Sequence, residues 1–133
     1  MMFTTKTEYG LRALVALAEN GRNQPLSLAQ IAKSEHLSLS YLEQIFKKLK
    51  KHQIVKGIKG AEGGYLLARP AVKITLLKIL EALEGPLAIS YCLDGNNRLS
   101  CSCRGCLTKK VWNKLQGDII KTLRKFKLSD LIK

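Results

Sequence analysis

Acidic residues are scarce in this chain. Its 133 residues hold 10 Asp and Glu against 23 Lys and Arg, a formal net charge of +13 with a pI near 9.8. So strong an imbalance on a small protein implies an anionic partner, nucleic acid ahead of a membrane surface. Histidine is rarer still: only His36 and His52 occur, and Asp94 is the one acidic residue near the cysteines. A cysteine nucleophile needs a base beside it, and acid–base chemistry needs carboxylates gathered in a cleft. The composition therefore argues against an enzyme, and no small-molecule substrate is expected. Neither a GxGxxG nor a GxxxxGK(S/T) pattern is present, so a nucleotide-cradling loop has little support. No apolar run approaches the ~18 residues of a membrane span. The opening MMFTTKTEYGLRALV is interrupted by charge and does not read as a signal peptide. A cytoplasmic protein with no membrane partner is expected.

Cysteine is missing from most of the chain, and where it occurs it is concentrated. Cys92, Cys101, Cys103 and Cys106 all fall within CLDGNNRLSCSCRGC, at spacings C-x8-C, C-x-C and C-x2-C. Interleaved Gly, Asn, Ser and Arg give this stretch too few apolar neighbours to bury four thiols. In a reducing cytoplasm, clustered cysteines are more often metal-binding or redox-active than disulfide-bonded. The residues alone leave three readings open. They are a metal cluster, an all-thiolate zinc site, and a thiol switch that forms disulfides or sulfenic acids.

What is present in quantity is helical periodicity. The 46% hydrophobic content allows a real core, and the length suits one domain or a domain with an oligomerisation element. Leu11, Leu14, Val15 and Ala18 give a buried stripe on a helix from about Thr5 to Asn20, stopped at Gly21. Glu8 and Arg12 stand one turn apart on it and suit an exposed ion pair. Ser27 to Gln30 has capping-box form and opens a short helix to about Glu35. After a turn at His36 to Ser38, Ser40 to Glu43 repeats the pattern and opens a third helix to about His52. Leu42, Ile45, Phe46 and Leu49 form its apolar face, while Tyr41, Gln44, Lys47, Lys48 and Lys51 lie opposite. A short helix, a tight turn and a longer helix with a basic outer face is the pattern of a helix-turn-helix.

Ile54 to Lys59 then alternates as a strand, Gly60 to Gly64 turns, and Tyr65 to Arg69 returns, a hairpin in the position of a wing. Lys47, Lys48, Lys50, Lys51, Lys56 and Lys59 place six positive charges within thirteen residues, so any binding to phosphates should weaken steeply with salt. A fourth helix is expected over Thr75 to Glu84. A last long one should run from a cap at Thr108 to about Phe126, with Val111, Trp112, Leu115, Ile119, Ile120, Leu123 and Phe126 in its stripe. Ser129 reads as the cap of a final turn, Asp130 to Lys133. So small a domain has little surface to cover the long helix, and a second copy is the natural cover. The fold class expected is mainly α with a small β-hairpin wing. Residues 1–85 would form a winged helix-turn-helix, 86–106 a cysteine-rich sensor loop and 107–133 a dimerisation helix with a C-terminal turn.

TEYGLRAL, SLSYLEQIFKKLKK, KGAEGGYLLAR and CLTKKVW, in that order over essentially the whole chain, resemble the IscR/NsrR-type transcription regulators, the Rrf-two family. That resemblance implies a homodimeric winged-helix regulator, commonly a repressor, on a palindromic double-stranded operator. It implies DNA contacts from Ser38, Ser40, Tyr41 and Gln44, an influence of Glu43 on operator choice, and wing contacts around Gly63 and Lys59. Members usually carry Arg at the Lys59 position. Lysine keeps the charge but loses the planar fork.

The resemblance also implies an iron–sulfur cluster, two-iron or four-iron, that sets operator affinity in response to redox, nitric oxide or cluster supply. Cys92 matches the first ligand and Cys106 the last. Cys101 suits the middle position better than Cys103. Where the iron–sulfur regulator type has a histidine, this chain has Lys109, so the fourth ligand falls to the remaining cysteine or to Glu8. Glu8 stands where the nitric-oxide-sensing type presents a carboxylate from the partner's first helix. A cluster-free thiol or zinc switch on the same fold remains the alternative.

Overall fold

Local capping decides where the helices of this chain begin. In the computed structural model, which describes residues 3–21, 24–61, 63–89 and 107–132, four of the five helices start on a side-chain cap. Thr4 Oγ1 accepts from the Lys6 amide and opens α1, Thr5–Glu19. Ser27 and Gln30 form a reciprocal capping box on α2, Leu28–Glu35. Ser38 caps α3, Leu39–Lys51, and Thr75 caps α4, Leu76–Glu84. The fifth helix, α5, spans Leu107–Lys125.

Two sequence expectations shift here. The cap of α3 is Ser38, not Ser40: Ser38 Oγ accepts from the Tyr41 amide, and Ser40 sits inside the first turn with its hydroxyl 3.1 Å from that of Ser38. Thr108 likewise lies within α5, not at its cap. The C-terminal turn also differs. It is a single 3-10 turn, Leu128–Leu131, in which Asp130 accepts from the Lys127 amide, so the cap is Lys127 and not Ser129.

The only strands among the described residues are β1, Val55–Ile58, and β2, Gly64–Leu67, an antiparallel hairpin with Val55 opposite Leu67 and Ile58 opposite Gly64. Leu26, just ahead of α2, extends it by one bridge, exchanging both backbone hydrogen bonds with Tyr65. One core gathers α1 (Ala13, Leu14, Leu17), α2 (Ile31), α3 (Leu42, Ile45, Phe46, Leu49) and α4 (Ile79, Ala82, Leu83). Ile54, Val55, Ile74 and Leu128 complete it. Leu128 reaches this core because the chain after α5 folds back. Its amide donates to Ile74 O, and the Leu76 amide donates to Phe126 O.

Close helix approach needs Gly10. A Cβ there would stand 2.5 Å from Leu83 Cδ1, so α1 and α4 touch nearly backbone to side chain. The mainly α fold with a hairpin wing and a long last helix is the one expected. Among the described residues, no helix is long and apolar enough to cross a membrane.

Candidate nucleic-acid interface

The turn between α2 and α3 is set by backbone geometry and by one arginine. His36 takes the left-handed conformation (φ 56°, ψ 46°) and ends α2, while Ser38 returns to extended backbone and starts α3. Arg12 of α1 donates to Glu35 O at 2.7 Å and to the Glu35 carboxylate at 3.3 Å. It thereby satisfies an orphan carbonyl at the end of α2 and ties the helix pair to α1. The expected Glu8–Arg12 ion pair is thus absent, since Arg12 is committed to Glu35. The Glu8 carboxylate is exposed and makes no hydrogen bond or ion pair among the described residues.

α3 is sharply two-sided. Leu42, Phe46 and Leu49 are fully buried and Ile45 nearly so. Leu39, Ser40, Glu43, Gln44, Lys47, Lys50 and Lys51 are exposed on the other side. Tyr41 is half-buried at the border. Its ring stands edge-on to Tyr9 at 5.7 Å, and its hydroxyl is 3.2 Å from Thr5 Oγ1. These contacts fix the first turn of α3 against the first turns of α1, so Ser38, Ser40, Tyr41 and Gln44 present one ordered surface.

Lys48 behaves differently from its lysine neighbours. It is half-buried and turned toward the end of α4, with Nζ 3.5 Å from Leu83 O. Its pKa lies below the ordinary lysine value. The main cause is a hydrogen bond with the Lys6 side chain. Desolvation and the Lys6 charge act in the same direction, and Glu84 opposes them. Glu84 itself accepts from Thr4 Oγ1 and, at 3.1 Å, from the buried Thr7 Oγ1. The last turn of α4 therefore holds both the start of α1 and Lys48 of α3. Nothing in the local sequence pattern announced this cluster, because its members are distant in the chain.

The wing is anchored to the same helix. Phe46 of α3 meets the Tyr65 ring of β2 at 5.0 Å in an edge-on contact. The tight Gly-Gly-Tyr sequence has steric causes. A Cβ on Gly63 would fall 2.2 Å from Ile58 O, and one on Gly64 would fall 2.6 Å from Leu26 C and O. Only glycine permits both approaches. Lys56 and Lys59 are exposed on this hairpin.

The four cysteines, and with them residues 90–106 of the proposed loop, lie outside the described residues. Among the described residues no group of His, Cys, Asp and Glu forms a metal site. Lys109 is exposed on the first turn of α5. Along that helix Leu107, Val111, Trp112 and Leu115 are also exposed, as is Phe126 just beyond it, and α5 contributes no buried residue. Leu107, Val111 and Leu115 line a shallow groove with Lys110, Lys114 and Asp118.

A two-sided α3 after a tight turn, with a hairpin pinned beside it, defines a winged helix-turn-helix protein, the class that binds DNA. The comparisons then narrow the class. Residues 3–133 match the Rrf2 family, described as an iron-dependent transcriptional regulator, and the chain belongs to that family of non-enzymatic, DNA-binding transcription regulators.

Its relatives include the HTH-type transcriptional regulator IscR of Cereibacter sphaeroides, 38% identical across all of this chain and 88% of the relative. Among solved structures, CymR, the global cysteine regulator of B. subtilis, superposes with a TM-score of 0.83 at 30% identity, covering 98% of this chain and 95% of that one. IscR of T. potens superposes with a TM-score of 0.79 at 34% identity, covering 98% and 85%.

Proposed function

We propose that this chain is a homodimeric repressor, acting in the cytoplasm, whose affinity for a palindromic operator is set by an iron–sulfur cluster held in the cysteine loop. The observation that carries the DNA-binding half is α3, four buried apolar residues on one side and, Leu39 apart, a polar and basic surface on the other. In this reading α3 enters the major groove. Ser38 and its helix start meet phosphate, and Ser40, Tyr41, Glu43 and Gln44 face base edges. Lys47 and Lys51 neutralise phosphates, Lys48 being turned away toward α4, and the wing brings Lys59 and the Gly63 turn to the neighbouring backbone. Residues 1–85 are the reading unit, 86–106 the sensor and 107–133 the dimerisation element. The unburied apolar stripe of α5 supports the dimer, because Leu107, Val111, Trp112 and Leu115 have no cover within their own described chain.

The donor set fits an iron–sulfur cluster. Cys92 and Cys106 with Cys101 or Cys103 supply the thiolates such clusters require. The fourth position falls to the remaining cysteine or to Glu8 of a second copy. Glu8 is suited to that role because its carboxylate is exposed and the arginine one turn away is engaged by Glu35. A bound cluster would supply a redox- and nitric-oxide-sensitive centre at this place. The chain's own part is to link that place to α1, and through Tyr9 and Tyr41 to α3.

A second reading, a cluster-free thiol switch, has support in the likeness to CymR. One superposing structure is the oxidized form of Staphylococcus aureus CymR (TM-score 0.77, 29% identity). Iron and acid-labile sulfide per chain, measured on protein purified without oxygen, decide between the two. Near-equal iron and sulfide, with visible bands that vanish in Cys92→Ala and Cys106→Ala, support the cluster. Glu8→Ala and Cys103→Ala then assign the fourth ligand. No iron after reconstitution leaves the thiol switch.

A further inference from the structure

The exposed face of α3 carries a single apolar side chain, Leu39. It is 43% exposed and is not among the apolar residues packed against the core. A lone exposed leucine is ordinary on a protein surface, but this one occupies an unusual place. It is the first residue of the helix, between Ser38 and Ser40, in the turn that a helix-turn-helix inserts deepest toward base edges. At 3.6 residues per turn, Leu39 and Glu43 fall about 40° apart on the helix circumference with roughly 6 Å between their Cβ atoms. Lys50 and Lys47 continue the same stripe, so Leu39 heads a line of side chains running along the exposed face.

In the major groove thymine is the base that offers an apolar feature, its 5-methyl group, while cytosine offers an amino donor to a carboxylate. We propose that Leu39 is a specificity-determining residue that reads a thymine methyl in the operator, one step along the groove from the base faced by Glu43. The inference deepens the proposed function and rests on α3 being the reading helix. Leu39 adds no hydrogen bond and no charge. Its contribution is selectivity for thymine over cytosine or uracil at one position of each half-site.

The test uses full-length dimer and an operator duplex selected by the wild-type protein from a random library. Each thymine is replaced in turn by deoxyuridine, which removes only the methyl. Burying one methyl corresponds to roughly a fourfold change in affinity. One thymine per half-site should therefore show about a fourfold loss with the wild-type protein and none with Leu39→Ala. Leu39→Met, which keeps an apolar contact, should retain most of the methyl dependence. Since Leu39 is exposed and Ser38 supplies the cap, Leu39→Ala should keep the wild-type melting temperature. If no deoxyuridine substitution affects the wild type, or Leu39→Ala feels each one equally, the assignment is overturned. Gln44→Ala and Lys47→Ala, measured on the same duplex, separate that result from a wrong reading helix. Their loss of affinity would keep α3 in the groove, whereas unchanged binding would remove it.

Discussion

Gly63→Ala should damage the wing while leaving the helical core intact. The added Cβ would lie 2.2 Å from Ile58 O and 2.9 Å from Gly60 O. Carbon and oxygen approach to about 3.3 Å at closest, so the turn must open by about 1 Å. Both obstacles are backbone atoms, and no rotamer change can relieve them. The opening sacrifices the hydrogen bond from the Gly63 amide to Gly60 O, worth about 1 kcal/mol net. Residual overpacking adds about 1–3 kcal/mol if the hairpin stays closed.

A two-stranded hairpin can instead open by itself, which confines the cost to the wing. The melting temperature should then fall by only about 4 °C, the shift that ~1 kcal/mol produces in a domain of this size. DNA affinity should fall more, roughly tenfold at moderate salt, because Lys59 and its neighbours lose their fixed position. The salt slope should flatten by about one phosphate contact. Fluorescence anisotropy on a selected operator, with circular dichroism melting, gives both numbers. Wild-type affinity together with an unaltered hairpin in amide NMR spectra would refute the steric reasoning.

Three further outcomes follow from other parts of the molecule. Phe46→Ala removes a fully buried ring that also holds Tyr65. It should cost about 3–5 kcal/mol by chemical denaturation, and a loss under 1 kcal/mol would contradict the packing described. Lys6→Gln removes the main cause of the low Lys48 pKa, so that pKa should rise toward the ordinary lysine value in an NMR titration. In the wild type the unfolded chain binds more protons between the lowered Lys48 pKa and the ordinary lysine value, so the penalty this pair places on folding is relieved as pH rises through that window. Losing the Lys6 partner should flatten that trend. Val111→Asp places a charge in the α5 stripe and should shift the protein toward monomer in sedimentation, weakening operator binding with little change in helix content.

Much of the helical framework was legible because burial repeats at helical spacing. The stripe Leu42, Ile45, Phe46 and Leu49 and the Ser27–Gln30 box could be read directly. Ser40 drew the cap assignment away from Ser38, since Glu43 stands three residues after Ser40 whereas Tyr41 stands three after Ser38. The choice rests on the left-handed His36, which directs Ser38 into the extended conformation a cap needs. Arg12 illustrates a different limit: pattern offered it Glu8 one turn away, but the tertiary fold offered a carbonyl and a carboxylate together at Glu35. The bridge from Leu26 to Tyr65, the cluster of Lys6, Lys48, Thr7 and Glu84, and the return of Leu128 to the core join distant segments. Periodicity carries no signal for such pairs. In the interface, the lysines of α3 were visible as a group, but the turning of Lys48 toward α4 was not. The cysteine spacings remain sequence facts, because those residues lie outside the described ones.

Operator affinity of anaerobically purified protein, before and after iron is removed by a chelator, tests the central proposal most directly. A change of tenfold or more in wild-type protein, absent in Cys92→Ala and Cys106→Ala, is the expected result. Equal affinity in both states, in protein shown to contain iron and sulfide, would contradict control of DNA binding by the cluster.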